Sequence, residues 1–211
     1  CHAEQIKSWR DELFADWGYI DVVVNNAGVA SHGGIAEGSL EDWDWVIDIN
    51  LKGVARGCKF FSEAFKQQGH GHVVNIASMA GLIHSPEMAS YNAVKAAVVA
   101  ISETMRFELE PFGIHTTVVC PGFFQTNLAE STRSPDQHAK AHVNKMLATS
   151  DISADDIADM IFDGVENKSF YVLPHKAYRK SWLIKRYLPF LYNKQMHALG
   201  NKLAAARKAK A

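Results

Sequence analysis

The stretch YIDVVVNNAGVA, residues 19 to 30, sets an apolar run, Ile20 to Val24, against an Asn-Asn-Ala-Gly corner. A continuous β-branched run that halts at a polar, glycine-containing corner suits a parallel strand buried on both faces. The chain repeats the device twice: HVVNIAS (72 to 78) and IHTTVVCPG (114 to 122) are also apolar runs that end at small or turn-forming residues. Segments of helical length lie between them. Residues 39 to 67 open on Ser39 as N-cap with Asp42 three residues on, and 90 to 110 close at Pro111 and Gly113. Residues 3 to 17 read as an amphipathic helix with Ile6, Trp9, Leu13 and Phe14 on one face. Ser153 and Asp156 restart a helix with capping-box spacing, and SFYVLP (169 to 174) is a fourth short strand. Residues 123 to 150 are polar and irregular, with weak helical signals and no readable code. Strand and helix in alternation predict an α/β fold: right-handed βαβ units in a doubly wound parallel sheet, with helices on both faces.

Composition narrows the class. The 211 residues are enough for one full-sized domain, with 47% hydrophobic and 21% charged side chains. Cys1, Cys58 and Cys120 are odd in number and far apart. That argues against a disulfide framework and for a reducing, cytoplasmic compartment. No run approaches the roughly 18 apolar residues of a membrane span. The ten histidines form no metal pattern: there is no H-E-x-x-H, and His70 and His72 flank a turn into a strand. His84 lies near the expected cleft, where it reads as a solvated loop histidine with substrate contact as the alternative. The net charge of −1 conceals an asymmetry: residues 175 to 211 carry ten Lys/Arg and no Asp or Glu, while residues 1 to 174 carry 12 basic and 23 acidic side chains.

In sheets of this class functional groups gather beyond the carboxyl ends of the strands. Here those ends are NNAG, ASMAG and CPGFFQT, and SYNAVKAAVVA (90 to 100) opens the helix after the second. Tyr91 and Lys95 are four residues apart and so share one helix face. An ammonium beside a phenol favours the phenolate and lowers its pKa from near 10. Such a phenol can exchange a proton with an alcohol or carbonyl oxygen held by a serine hydroxyl, here that of Ser78. The plain alternative is a solvated Tyr/Lys pair on a helix surface.

NNAG (25 to 28), Asn50 in DINLKG, the strand-end Ser78, YNAVK (91 to 95) and PGFFQT (121 to 126) stand in one order and spacing. With these motifs in register, residues 1 to 174 resemble the short-chain dehydrogenase/reductase family. The resemblance implies a Rossmann-like domain over 1–174, incomplete at its N-terminus, followed by a basic amphipathic extension over 175–211. It implies Tyr91 as acid/base and Lys95 as the cation that tunes it and binds the nicotinamide ribose. Ser78 would hold the substrate oxygen, and Asn50 would anchor a water that links Lys95 to solvent. Asn26, Ala27 and Gly28 would line the adenosine side of the cofactor while Asn25 braces the sheet. Pro121, Gly122, Phe124 and Thr126 would embrace the nicotinamide carboxamide and pyrophosphate.

The sequence departs from the family in one respect. No G-x-x-x-G-x-G turn precedes NNAG, so the resemblance implies that the chain starts after what the family places as its third strand. The resemblance therefore implies NAD or NADP without choosing between them. By itself the chain is expected to bind dinucleotide poorly and to expose Ile20 to Val24 as an edge strand. The expected partners are a small-molecule alcohol or carbonyl, hydrophobic or lipid-like, and further copies of the chain in a homodimer or homotetramer. An epimerase or dehydratase on the same fold is the alternative activity, and a catalytically silent scaffold with a membrane-surface tail is the alternative of another class. In residues 178 to 194, YRKSWLIKRYLPFLYNK, aromatic and aliphatic side chains interleave with cations. They suit either a helix packed on the body or peripheral contact with a membrane surface. Nucleic acid is not an expected partner, because the body is acidic and carries no motif for it.

Overall fold

The computed structural model describes residues 2–126, 128, 130–134, 141 and 145–208. Of the features singled out from sequence, Cys1, Lys210 and parts of the 123–150 segment lie outside these residues. The strands are β1 (Val22–Asn25), β2 (Gly71–Ile76), β3 (Ile114–Val119) and β4 (Tyr171–Val172). All run parallel, in the spatial order β1-β2-β3-β4, so their carboxyl ends share one edge. The described helices are α1 (Ala3–Trp17), α2 (Leu40–Val46), α3 (Val54–Gln68), α4 (Ala89–Leu109), α5 (Ala154–Glu166), α6 (Lys176–Tyr187) and α7 (Pro189–Lys208). Their starts follow the capping logic. The Ser39 hydroxyl accepts the Asp42 amide at 3.0 Å, and Ser153 and Asp156 complete a reciprocal capping box. Gly69, at φ +84°, closes α3 in the left-handed conformation that glycine adopts without steric cost.

The sheet has two unlike faces. On one, Val73 and Val118 meet Cys58, Phe61 and Phe65 of α3 and Val98, Met105 and Leu109 of α4. On the other, Val74, Val119 and Val172 meet Ile161 and Val165 of α5. Helices therefore cover both faces, but the crossover from β3 to β4 passes over the face opposite to the first two. The strands advance in one direction throughout, so this third connection has the opposite hand. The expectation of right-handed units throughout is corrected there. A second correction concerns the edge. β1 is an outer strand, and Val22 and Val24 are 38% and 46% exposed, but Ile20 and Val23 are buried. Only one side of the edge strand is bare, because α3 covers the other.

The single helix expected over 39 to 67 is two α-helices joined by a π-helical turn, Ile47–Gly53. Asn50 sits inside that turn and is fully buried. A π-turn inserts an extra residue into the helical phase and is frequent at functional sites.

Candidate active site

Loops from the carboxyl ends of β1, β2 and β3 enclose a cavity of about 450 Å³ with the N-terminal turn of α4. Asn26, Ala27, Gly28, Ser78, Tyr91, Lys95, Pro121, Gly122, Phe124 and Thr126, all singled out from sequence, line it. Asn50 does not. It stands behind Gly28, where its amide brackets one residue: Asn50 Oδ1 accepts the Val29 N–H and Asn50 Nδ2 donates to the Val29 carbonyl, both at 2.8 Å. This clamp fixes the chain leaving β1. Asn25 braces the sheet as expected, donating to Asn75 Oδ1 at 2.8 Å, while Asn75 donates to Ser102 Oγ at 3.0 Å. Gly57 of α3 permits the close approach, since a Cβ there would fall 2.0 Å from Asn25 Oδ1.

Tyr91 and Lys95 are 7% and 4% exposed. Lys95 Nζ donates to the Ile76 carbonyl at 2.8 Å and lies 5.8 Å from the centre of the Tyr91 ring. No carboxylate among the described residues pairs with it. Burial accordingly lowers the ammonium to about 8, with Cys120 opposing slightly. Burial also raises the Tyr91 phenol to about 12, against a small opposite pull from the Ser78 hydroxyl. Desolvation is thus the leading influence on both groups, raising the phenol and lowering the ammonium. The Ser78 hydroxyl accepts from the Ala80 N–H at 3.1 Å and donates to the Pro121 carbonyl over a long 3.4 Å.

Sequence reasoning missed several walls of the site. Ile83, Met88, Leu128, Leu147 and Tyr178 line the cavity, giving it a largely apolar side. It also missed His175, whose Nδ1 accepts the Gly122 N–H at 3.0 Å while Nε2 meets the Phe123 carbonyl at 2.8 Å. The two bonds fit one neutral tautomer, protonated on Nε2, that clasps the loop after β3. Tyr178 presses on the same loop, because a Cβ on Gly122 would come 2.1 Å from its ring. An isolated histidine just past a short strand carries no motif that would have revealed this. His84 faces away from the cavity, its backbone N–H bonded to the Tyr192 hydroxyl at 2.9 Å and its ring against Lys185 Nζ. Among the described residues no group of three or more His, Cys, Asp or Glu side chains could hold a metal ion.

Known proteins are similar to this chain in sequence and in fold. A family model described as short chain dehydrogenase matches residues 2–137. The chain is similar to a CLA biosynthesis dehydrogenase/reductase of Lactiplantibacillus plantarum, at 33% identity over 80% of this chain and 65% of that protein. It is 40% identical to a 3-oxoacyl-[acyl-carrier-protein] reductase of Synechocystis over 62% of this chain and 53% of that one. The chain thus spans less than two thirds of either relative. Among solved structures, a short chain dehydrogenase/reductase from Burkholderia phymatum in complex with NAD superposes with a TM-score of 0.84. That match has 30% identity over 90% of this chain and 73% of that one. With its family model matched over more than half its length and its motifs gathered on one cavity, the chain belongs to the short-chain dehydrogenase family.

Proposed function

We propose that this chain carries the acid/base and nicotinamide-side half of an NAD(P)-dependent oxidoreductase that interconverts an alcohol and a carbonyl. The observation that carries the reading is a buried tyrosine, a buried lysine without a carboxylate partner and a strand-end serine on one cavity. An unpaired buried lysine costs stability, and such groups concentrate where chemistry needs them.

The residues fit the nicotinamide-ribose half of the cofactor. Lys95 has three N–H donors and gives one to Ile76, which leaves donors for ribose hydroxyls. Gly28 lies against Lys95, where a Cβ would stand at an ordinary contact distance of 3.7 Å from its Nζ. Pro121, Gly122, Phe124 and Thr126 would hold the carboxamide side, with His175 keeping their loop in place. When bound, the nicotinamide supplies the hydride donor or acceptor. A glycine-rich turn for the pyrophosphate does not occur in this sequence.

The protein's own groups manage the proton. A phenol held near 12 is a donor at neutral pH, suited to protonating a carbonyl oxygen as it gains negative charge. In the opposite direction the same group takes the proton back from the alcohol, as reversibility of the step requires. Ser78 would exchange its long bond to Pro121 for one to the substrate oxygen. The apolar walls favour a hydrophobic substrate, and the name of the Synechocystis relative, a 3-oxoacyl reductase, supports an acyl-chain carbonyl.

Nicotinamide absorbance followed with acyl ketones and 3-oxoacyl thioesters tests the reading. Tyr91→Phe should lower kcat by about 100- to 10,000-fold. The assay is made with the chain joined to a glycine-rich nucleotide-binding segment, since by itself it is expected to bind dinucleotide poorly. Full turnover by the Phe variant in that protein would sink the mechanism, and absence of turnover in its Tyr91 parent would favour a silent scaffold.

A further inference from the structure

The basic C-terminal segment divides into an inward and an outward half. Tyr178 and Trp182 of α6 pack on the core of the sheet, and Tyr192 of α7 is buried with its hydroxyl on the His84 N–H. Lys185 donates to the Leu82 carbonyl at 2.7 Å, and Arg207 pairs with Glu37 and Glu87, both at 2.9 Å. These contacts fix the helix pair on the body. What they leave outside is its tip: Arg186, Tyr187, Leu188, Pro189, Phe190 and Leu191 are six consecutive exposed residues. Tyr187 is 70% and Phe190 66% exposed. Arg179, Lys180 and Lys194 flank the tip and are exposed as well.

We propose that this α6–α7 tip docks on an anionic lipid surface, with Leu188, Phe190 and Leu191 entering the headgroup boundary and Lys180, Arg186 and Lys194 on the lipid phosphates. Two observations select a lipid over a protein partner. The apolar side chains Tyr187, Leu188, Phe190 and Leu191 stand exposed together at a corner whose flanks are fixed to the body by Lys185 and Tyr192. The cations are segregated from an acidic body, so the molecule's own charge distribution turns this end toward a negative surface and its body away. Apolar burial and electrostatic attraction then act together, as reversible interfacial binding requires. No helix of the described residues is long and apolar enough to cross a membrane, and the contact is peripheral.

The placement deepens the proposed activity and rests on it in one respect. Tyr178, on the cavity wall, and Tyr187, at the tip, lie on the same helix, about 14 Å apart at 1.5 Å per residue. A docked tip thus holds the cavity near the interface, where a lipid-like acyl carbonyl would be drawn from.

Co-sedimentation with phosphatidylcholine vesicles, with and without phosphatidylserine, decides the matter and needs no turnover. The protein should pellet with the anionic vesicles alone and be released by salt. Phe190→Glu should weaken binding at least tenfold, and Lys180→Gln or Lys194→Gln about fivefold each, near the contribution of one cation at such a surface. The altered side chains are exposed, so unchanged circular dichroism separates lost docking from lost folding. Equal binding to neutral vesicles, no binding to either, or self-association that Phe190→Glu abolishes would each overturn the proposal. Vesicle binding by this chain, with no turnover even when it is joined to a glycine-rich nucleotide-binding segment, would leave the docking intact and remove the proposed activity instead.

Discussion

Val23 pairs in register with Val73, and Val24 with Val74, yet the two strands fare differently. Both valines of β2 are fully buried, whereas in β1 Val23 is buried and Val24 is 46% exposed. The difference lies above the strands and not in them. α3 seals one face across β1 and β2, while on the opposite face the cluster beneath α5 takes in Val74 of β2 with Val119 and Val172 but no residue of β1. Burial in a parallel sheet is therefore granted by the second layer. A strand reads as buried on both sides in sequence, whatever actually lies over it.

The largest expected effect tests the sealed side. Phe65→Ala should cost about 3–5 kcal/mol in urea unfolding, because Phe65 is wholly enclosed between Phe14, Phe61 and the sheet. A loss below about 1 kcal/mol would mean that the helical layer over α3's face is not what holds the sheet. Lys95→Met sharpens the contrast by separating burial that stabilises from burial that serves chemistry. It should abolish turnover while adding roughly 1–3 kcal/mol at pH 7. The sign follows from the lysine's position near 8, below its ordinary 10.5. Between those values the unfolded chain holds more protons, so the parent protein gains stability as pH rises from 8 to 10.5. The variant's advantage should shrink across the same window, and a constant advantage would contradict the assignment. The smallest effect is on the bare side: Val24→Thr should change stability by no more than about 0.5 kcal/mol, while light scattering on heating falls as the open edge becomes less apolar.

Much of this was legible beforehand. Helix α1 occupies the expected residues 3 to 17, the Ser39 and Ser153 caps form, and ten sequence-derived residues line one cavity. These features are local: a cap or a motif is written within four or five residues. What could not be read depends on contacts across the chain. The hand of the β3–β4 crossover is decided by which face Ile161 and Val165 meet. The clasp of His175 on Gly122 spans 53 residues. The ionisation of Tyr91 and Lys95 turned on how dry their surroundings are, and spacing alone suggested a coupled pair where desolvation dominates both groups. The interleaved residues 178 to 194 looked uniformly amphipathic, and only packing sorted Trp182 and Tyr192 inward from Tyr187 and Phe190 outward.

The π-turn at Ile47–Gly53 acts as a phase shifter between two helices that a cruder description would merge into one rod. Each residue of a regular helix advances about 100°, so one inserted residue lets the stretch before it face α4 while the stretch after it faces the sheet. Deleting a single residue there would leave the helical content, and so the circular dichroism, almost unchanged. It would nonetheless swing Asn50 off Val29 and release the loop that floors the cavity. A frame error of one residue, invisible to spectroscopy, would thus erase the site while leaving its catalytic side chains in the sequence.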